Sequence, residues 1–257
     1  MCLIVLGWQI HQGYPLVVAA NRDEYFSRPT APLAWWHDHP AILAGRDLEG
    51  GGTWLGITRN GRFAAITNYR DPARLRAAAP SRGQLVSAFL AGSETPGDYL
   101  RRIESDVKAC NGFNLLVADT HELWWHSNVN GEIRQLEPGI HAVSNHLLDT
   151  PWPKLVEAKA AFSAAQTDQD RLFTLLQNDR QHPDEVLPST GVSLQREREL
   201  SAIFVSTPDY GTRSSAVLVR DTHGQISFEE QTWQAGGVAG ERIHLGNLAS
   251  IHSRRLQ

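Results

Sequence analysis

The sequence predicts an α+β fold of mostly antiparallel sheets with helices packed outside them. Three observations carry this expectation: apolar runs of strand length arrive in blocks, short polar turns join them into hairpins, and pairs of helical segments separate the blocks without β-α-β alternation. With 257 residues, 41% of them hydrophobic and 20% charged, the chain can bury a full core as one large domain or two small ones. It contains no internal repeat, low-complexity run or linker.

The first element is a hairpin. Apolar runs over 3–10 and 15–20 flank the polar break His11-Gln12-Gly13-Tyr14. Paired positions keep a constant sum along an antiparallel ladder, so Cys2 falls across from Asn21, Arg22 and Asp23. A second hairpin is expected around Asn60-Gly61, as a type I′ turn with positive φ at both centres. Pairing about it places Asn68 across from Thr53, beside Gly50-Gly51-Gly52, glycines that suit close backbone approach or a flexible loop.

Helices follow. Ser81 is placed to cap a helix over 82–91, with Leu85, Val86, Phe89 and Leu90 on one face, and Thr95-Pro96 opens another over 97–109. Strand patterns return at 113–119, at 122–126 and, after an Asn130-Gly131 turn, at 133–144. Helices over 154–166 and 169–176 come next, and strands over 202–206, 213–220 and 226–233 end the pattern.

Composition narrows the function. A net charge of −4 argues against a general nucleic-acid binder, although Arg70, Arg74 and Arg76 leave either a local anion site near 70–82 or a solvated loop. No run approaches the ~20 apolar residues of a membrane-spanning helix. The first basic residue is Arg22, so the start lacks the basic region of a secretory signal. Two cysteines make no disulfide framework, and a reduced, cytoplasmic setting is expected.

The chemistry concentrates at Cys2. Removal of Met1 would give Cys2 both a thiol and a free α-amine, with ordinary pKa values near ~8.5 and ~7.7–8.0, so proton transfer between them costs little at neutral pH. An Arg beside a thiolate lowers its pKa, and a nearby carboxylate can hold the amine. Because successive side chains of a strand point to opposite faces, Arg22 and Asp23 both face Cys2 only where the strand bends or bulges. Asn68 and Asn145 end apolar strands and offer amide donors of the kind an oxyanion hole uses, or serve as turn and cap residues.

Taken together, Cys2-Leu3-Ile4, Asn21-Arg22-Asp23-Glu24, Gly51-Gly52-Thr53-Trp54-Leu55-Gly56, Thr67-Asn68, Val143-Ser144-Asn145 and Gly211-Thr212-Arg213-Ser214 closely resemble the NRDE-motif family, the transport and Golgi organisation protein 2-like proteins. That family is similar to the cysteine-type N-terminal nucleophile hydrolases, in which the matching Arg and Asp are not adjacent. The resemblance implies a single domain over 1–257, built as a four-layer αββα sandwich. It implies Cys2 as nucleophile, Arg22 as its electrostatic neighbour and Asp23 as anchor for the α-amine. Asn68 and Asn145 would be oxyanion or orienting groups, and Arg213 a second cationic support.

Two functions of different class follow from the resemblance. One is hydrolysis of an amide or thioester through an acyl group on Cys2, with a small-molecule acyl substrate and no cofactor. The other is binding or trafficking of haem, acyl-CoA or another hydrophobic ligand on a retained scaffold. For haem, Cys2 offers a thiolate and His37, His39, His141 and His146 offer imidazoles, with no C-x-x-C or C-x-x-C-H motif present. Trp35 and Trp36 follow the Cys2 region closely enough to wall an apolar pocket, and adjacent pairs such as Trp124-Trp125 should send one ring to each face of a strand. No metal site is expected.

Overall fold

The computed structural model describes residues 2–248. In chain order the strands are β1 (Cys2–His11), β2 (Tyr14–Tyr25), β3 (Thr30–Trp35), β4 (Ile42–Asp47), β5 (Leu55–Thr58) and β6 (Phe63–Asn68), followed by helices α1 (Gly83–Ala91) and α2 (Pro96–Ile103). Then come β7 (Phe113–Ala118), β8 (Leu123–Ser127), β9 (Glu132–Gln135), β10 (Gly139–Val143), α3 (Pro153–Ala165), α4 (Gln169–Leu176), α5 (Leu194–Glu199), β11 (Tyr210–Arg220), β12 (Ile226–Gln234) and β13 (Val238–Leu248).

The strands form two antiparallel sheets, ordered β10-β1-β2-β11-β12-β13 and β3-β4-β5-β6-β7-β8-β9. Alternation along β1 and β2 shows how they stack. Ile4, Leu6, Trp8, Leu16, Val18 and Ala20 point at the second sheet and meet Leu43, Ile57, Phe63, Ala65 and Trp125. Leu3, Val5, Val17 and Ala19 point the other way, under Leu155, Phe162, Leu172 and Leu176 of α3 and α4. Val86, Phe89, Leu90, Tyr99 and Leu100 of α1 and α2 cover the outer face of the second sheet, against Ile42, Ala64, Leu115 and Val117. The result is the four-layer αββα sandwich. Both faces of the inner strands are dry, which is why their sequences read as continuous apolar runs.

The first hairpin forms as expected, with Gly13 at φ +80° and Cys2 paired to Arg22. The second differs in detail. Leu55 pairs with Ala65, a register that sets Asn68 level with position 52 rather than Thr53. Only Gly61, at φ +83°, takes the left-handed conformation, because the Thr58 hydroxyl bonds the Asn60 side chain and holds a longer loop than a type I′ turn.

Other boundaries shift for identifiable reasons. The run 133–144 is two strands in different sheets, parted at Glu137-Pro138. Residues 202–206 bury Ala202, Ile203, Phe204 and Val205 but contribute only a single bridge, Ser206 to Gly211. Helix α1 starts at Gly83 with no side-chain cap from Ser81, and α2 ends at Ile103 before a separate 3-10 turn, Asp106–Ala109. Neither α5 nor β13 was marked by the apolar pattern. Within both Trp pairs the rings part as expected: Trp35 and Trp125 pack between the sheets, Trp36 and Trp124 beneath α1 and α2.

Candidate active site

Cys2 begins β1, which lies between β10 and β2 in the first sheet, and its thiol side, shared with Ile4, faces the second sheet. Arg22, opposite it, occupies the same face as Ala20 and is 6% exposed. Asp23, one residue on, belongs to the helix-covered face. The irregularity that adjacency demands lies in the neighbouring strand: β11 bulges between Thr212 and Ser214, so Arg213 has no partner opposite the step from Arg22 to Asp23. Arg22 therefore flanks the thiol, while Asp23 turns its backbone N–H to the sulfur and its carboxylate to the far side of the strand end.

Both cysteine and carboxylate feel this enclosure. Burial pushes the Cys2 thiol up, against the pull of Arg22 and the Asp23 N–H. Burial also pushes Asp23 up, against Lys154, the Thr212 hydroxyl and Arg70. Thr212 Oγ1 donates to Asp23 Oδ1 at 2.8 Å and Tyr210 donates its hydroxyl to the Asp23 carbonyl at 3.1 Å.

A polar network fixes the ground behind Cys2. Ser144 Oγ donates to the Cys2 carbonyl at 2.9 Å. Asn145 donates its amide to the Asn68 carbonyl at 2.9 Å, tying the loop after β10 to the end of β6 across the two sheets. Arg70 Nη1 meets Glu197 Oε2 of α5 at 2.8 Å with both side chains buried, and Glu197 Oε1 accepts from the Thr190 N–H and hydroxyl. Lys154, in the first turn of α3, donates to the Leu200 carbonyl at 3.0 Å, and burial lowers its pKa to about 8 despite the nearby Asp23.

In front of Cys2 lies a cavity of about 380 Å³. Arg22, Asp23, Glu24, Asn68, Trp54 and Arg82 are among its walls, and residues 77–83 with Gly50 form its rim. Of the residues picked from the sequence, Cys2, Arg22, Asp23 and Asn68 line it. Asn145 is not on this wall; its amide is bonded to the Asn68 carbonyl.

Arg213 is not on this wall. Its guanidinium donates to the carbonyls of Tyr25, Phe26 and Arg28 and faces a different recess, with Ser214 and Glu230, so it anchors the turn after β2. A further cation of the cavity wall is Arg82, which the sequence pattern places in a helix. Its only early signal was the arginine-rich run near 70–82.

The residues weighed for haem do not converge on Cys2. Trp35 carries Arg59 on its ring in the inner core, Trp36 donates to the Ala44 carbonyl, His146 bonds Thr150, and His141 bonds Glu137 and Asp149. The exposed His37 and His39 lie on the loop after β3, outside the cavity wall. Among the described residues no group of three or more His, Cys, Asp or Glu is arranged to hold a metal ion. Among the described residues no helix is long and apolar enough to cross a membrane.

Comparison with solved structures places the fold. Two variants of the conjugated bile acid hydrolase from Clostridium perfringens match with TM-scores of 0.51 and 0.52 at 9% and 10% identity, each over 96% of this chain and 92% of the hydrolase. The likeness is one of fold: the two stacked sheets between helix layers are shared with that hydrolase. Sequence comparison is closer. The Transport and Golgi organization protein 2 homologs of Bos taurus and Homo sapiens are 36% and 35% identical, each over 90% of this chain and 93% of the relative. The Drosophila melanogaster protein is 26% identical over 86% of the chain and 87% of its own length. The model of the Transport and Golgi organisation 2 family matches residues 1–235, and the chain belongs to that family.

Proposed function

We propose that the protein, once Met1 is removed, is an N-terminal cysteine hydrolase that cleaves an amide or thioester through an acyl group on Cys2. The observation that carries this reading is the placement of Cys2 at the base of a cavity, with Arg22 and the Asp23 N–H at its sulfur and the Asp23 carboxylate at the strand end where the new amine would stand.

The steps use groups already in place. As Cys2 Sγ attacks the acyl carbon, the thiol proton passes to the α-amine, a C–S bond forms and the carbonyl π pair moves onto oxygen. The Asn68 amide donates to that oxyanion. Collapse breaks the C–N or C–S bond, and the α-ammonium gives its proton to the leaving group. Water then attacks the acyl-cysteine, the amine takes its proton, and the carboxylic acid and thiol are released. Asp23 holds the amine and stabilises its charged form. A thiol kept protonated by burial suits this scheme, since the base need act only during attack.

The wall of the cavity is mostly polar, with charged side chains such as Arg22, Asp23, Glu24 and Arg82 among its residues, which favours this reading over a trough for haem or a lipid chain. The test is turnover of a panel of short acyl thioesters and amides, with acyl-enzyme trapped by mass spectrometry. Wild type should form an adduct on Cys2. Cys2→Ala should abolish turnover with little change in melting temperature, and Asn68→Ala should cost ~10²–10³ in rate with folding intact. Turnover that survives Cys2→Ala would sink the proposal.

A further inference from the structure

Arg82 is the unbalanced charge of the Cys2 cavity. The other guanidiniums on its wall are spoken for. Arg28 meets Asp47 at 2.8 Å and Glu49 at 3.3 Å, and Arg46 meets Asp38 through two bonds of 2.7 Å. Arg22 has the Thr30 hydroxyl at 3.4 Å and Glu24 at 3.9 Å. Arg82 donates to the Gly112 carbonyl at 3.0 Å, and among the described residues no carboxylate is in ion-pair contact with it. A partly buried guanidinium with no carboxylate in contact, favoured only by the more distant charge of Glu24 and the Cys2 and Cys110 thiols, gains from an anion that reaches it.

Its position is held from two sides. Gly52 packs so tightly on the start of α1 that a Cβ there would lie 2.3 Å from the Gly83 carbonyl carbon, and the Thr53 N–H donates to the Gly83 carbonyl at 3.2 Å. Arg82 is thereby held on the same cavity wall as Cys2, close enough for the charge of a Cys2 thiolate to favour the charged guanidinium. The Ser81 side chain lines the same rim. In a cavity of about 380 Å³, an anion held by Arg82 can be only a few bonds from an acyl carbon attacked by Cys2.

We infer that the Cys2 site takes a short acyl amide or thioester bearing an oxyanion, carboxylate or phosphate, within a few bonds of the scissile carbonyl, and that Arg82 is the residue that selects it. The inference rests on the acyl-transfer reading of Cys2. A bidentate guanidinium contact suits either oxyanion. A wholly apolar acyl chain would leave Arg82 desolvated and unpaired.

The direct probe is a matched pair of thiol reagents, anionic iodoacetate and neutral iodoacetamide, applied to the intact protein at low ionic strength with peptide mapping of Cys2. Both report the same thiolate, so the ratio of their rates cancels nucleophilicity and leaves the effect of reagent charge. Relative to Cys2 in the urea-unfolded chain, the folded protein should favour iodoacetate about tenfold, and Arg82→Gln should erase most of that preference. Arg82→Lys should retain part of it, which guards against a variant that merely misfolds.

Succinate and inorganic phosphate, used as protectants against iodoacetamide, distinguish the two oxyanions. An unchanged ratio on folding with no protection by either anion overturns the inference, and so does a Cys2 that resists both reagents while the unfolded chain reacts. Selective alkylation without acylation by any thioester would instead leave the anion site standing and remove the hydrolase reading. Acylation with no charge preference would do the reverse.

Discussion

Cys2, Asp23 and Lys154 show how a single side chain's surroundings set its chemistry. Asp23 is 2% exposed and Lys154 is 3% exposed; the charge of Lys154, the Thr212 hydroxyl and Arg70 favour the Asp23 carboxylate, while Asp23 and the Leu200 carbonyl favour the Lys154 ammonium against the repulsion of Arg70. Lys154 gives a clear prediction. Its pKa falls to about 8 in the folded protein, below the ~10.4 of an unfolded lysine. Between those values the unfolded chain binds more protons, so this group's contribution to stability rises with pH from about 8 to about 10.5. The raised thiol and phenol groups, Cys2, Tyr99 and Tyr210, act in the opposite sense above their own unfolded values, so the Lys154 contribution must be read as a difference. Urea unfolding across pH 8 to 10 should show wild type gaining stability relative to Lys154→Met. Parallel pH profiles would refute the burial argument. None of this was legible from sequence, where Lys154 is one lysine at the start of a helix and its partners Asp23 and Leu200 lie in β2 and after α5.

Among the elements, the β1–β2 hairpin was the most legible, because a constant pairing sum carries Cys2 to Arg22 whatever the rest of the chain does. The β5–β6 hairpin was legible in existence but off by one in register, since its turn type depends on the Thr58 and Asn60 side chains. The run 133–144 was misread as one strand because both halves have strand-like sequence, and only sheet assignment separates them. Residues 202–206 were misread because burial without a ladder gives the same apolar run. Helix α5, rich in Arg and Glu, carries no apolar pattern in the sequence, yet it buries Glu197 at 3% exposure against Arg70. The join of the Gly50-Gly51-Gly52 loop to α1 is the element contact that positions Arg82. Gly52→Ala should force the α1 start away, destabilise the protein by about 1–3 kcal/mol and reduce the iodoacetate preference at Cys2. A variant with wild-type stability and charge preference would show that this contact does not set the site.

For the whole molecule, the αββα arrangement follows from counting dry faces. Each sheet buries one face on the other and one under a helix pair, and the block order of strands and helices announces that layering. The site sits where the strand end of the first sheet meets the end of β6 in the second, bridged by Asn145 and Asn68. Motif residues Cys2, Arg22, Asp23 and Asn68 were found in advance because they lie at strand ends. Arg213 was misplaced because the β11 bulge turns it outward, and Arg82 was missed because nothing in a helix start says which cavity it borders. The central claim is that this architecture sets Cys2 at the wall of a cavity as a nucleophile once Met1 is removed. The measurement that tests it most directly is the intact mass of the purified protein before and after brief exposure to a limiting thiol electrophile at neutral pH, with peptide mapping. The account predicts a mass lacking Met1 and labelling of Cys2 well ahead of Cys110, the other buried free thiol. Retention of Met1, or a Cys2 no more reactive than Cys110, would contradict it.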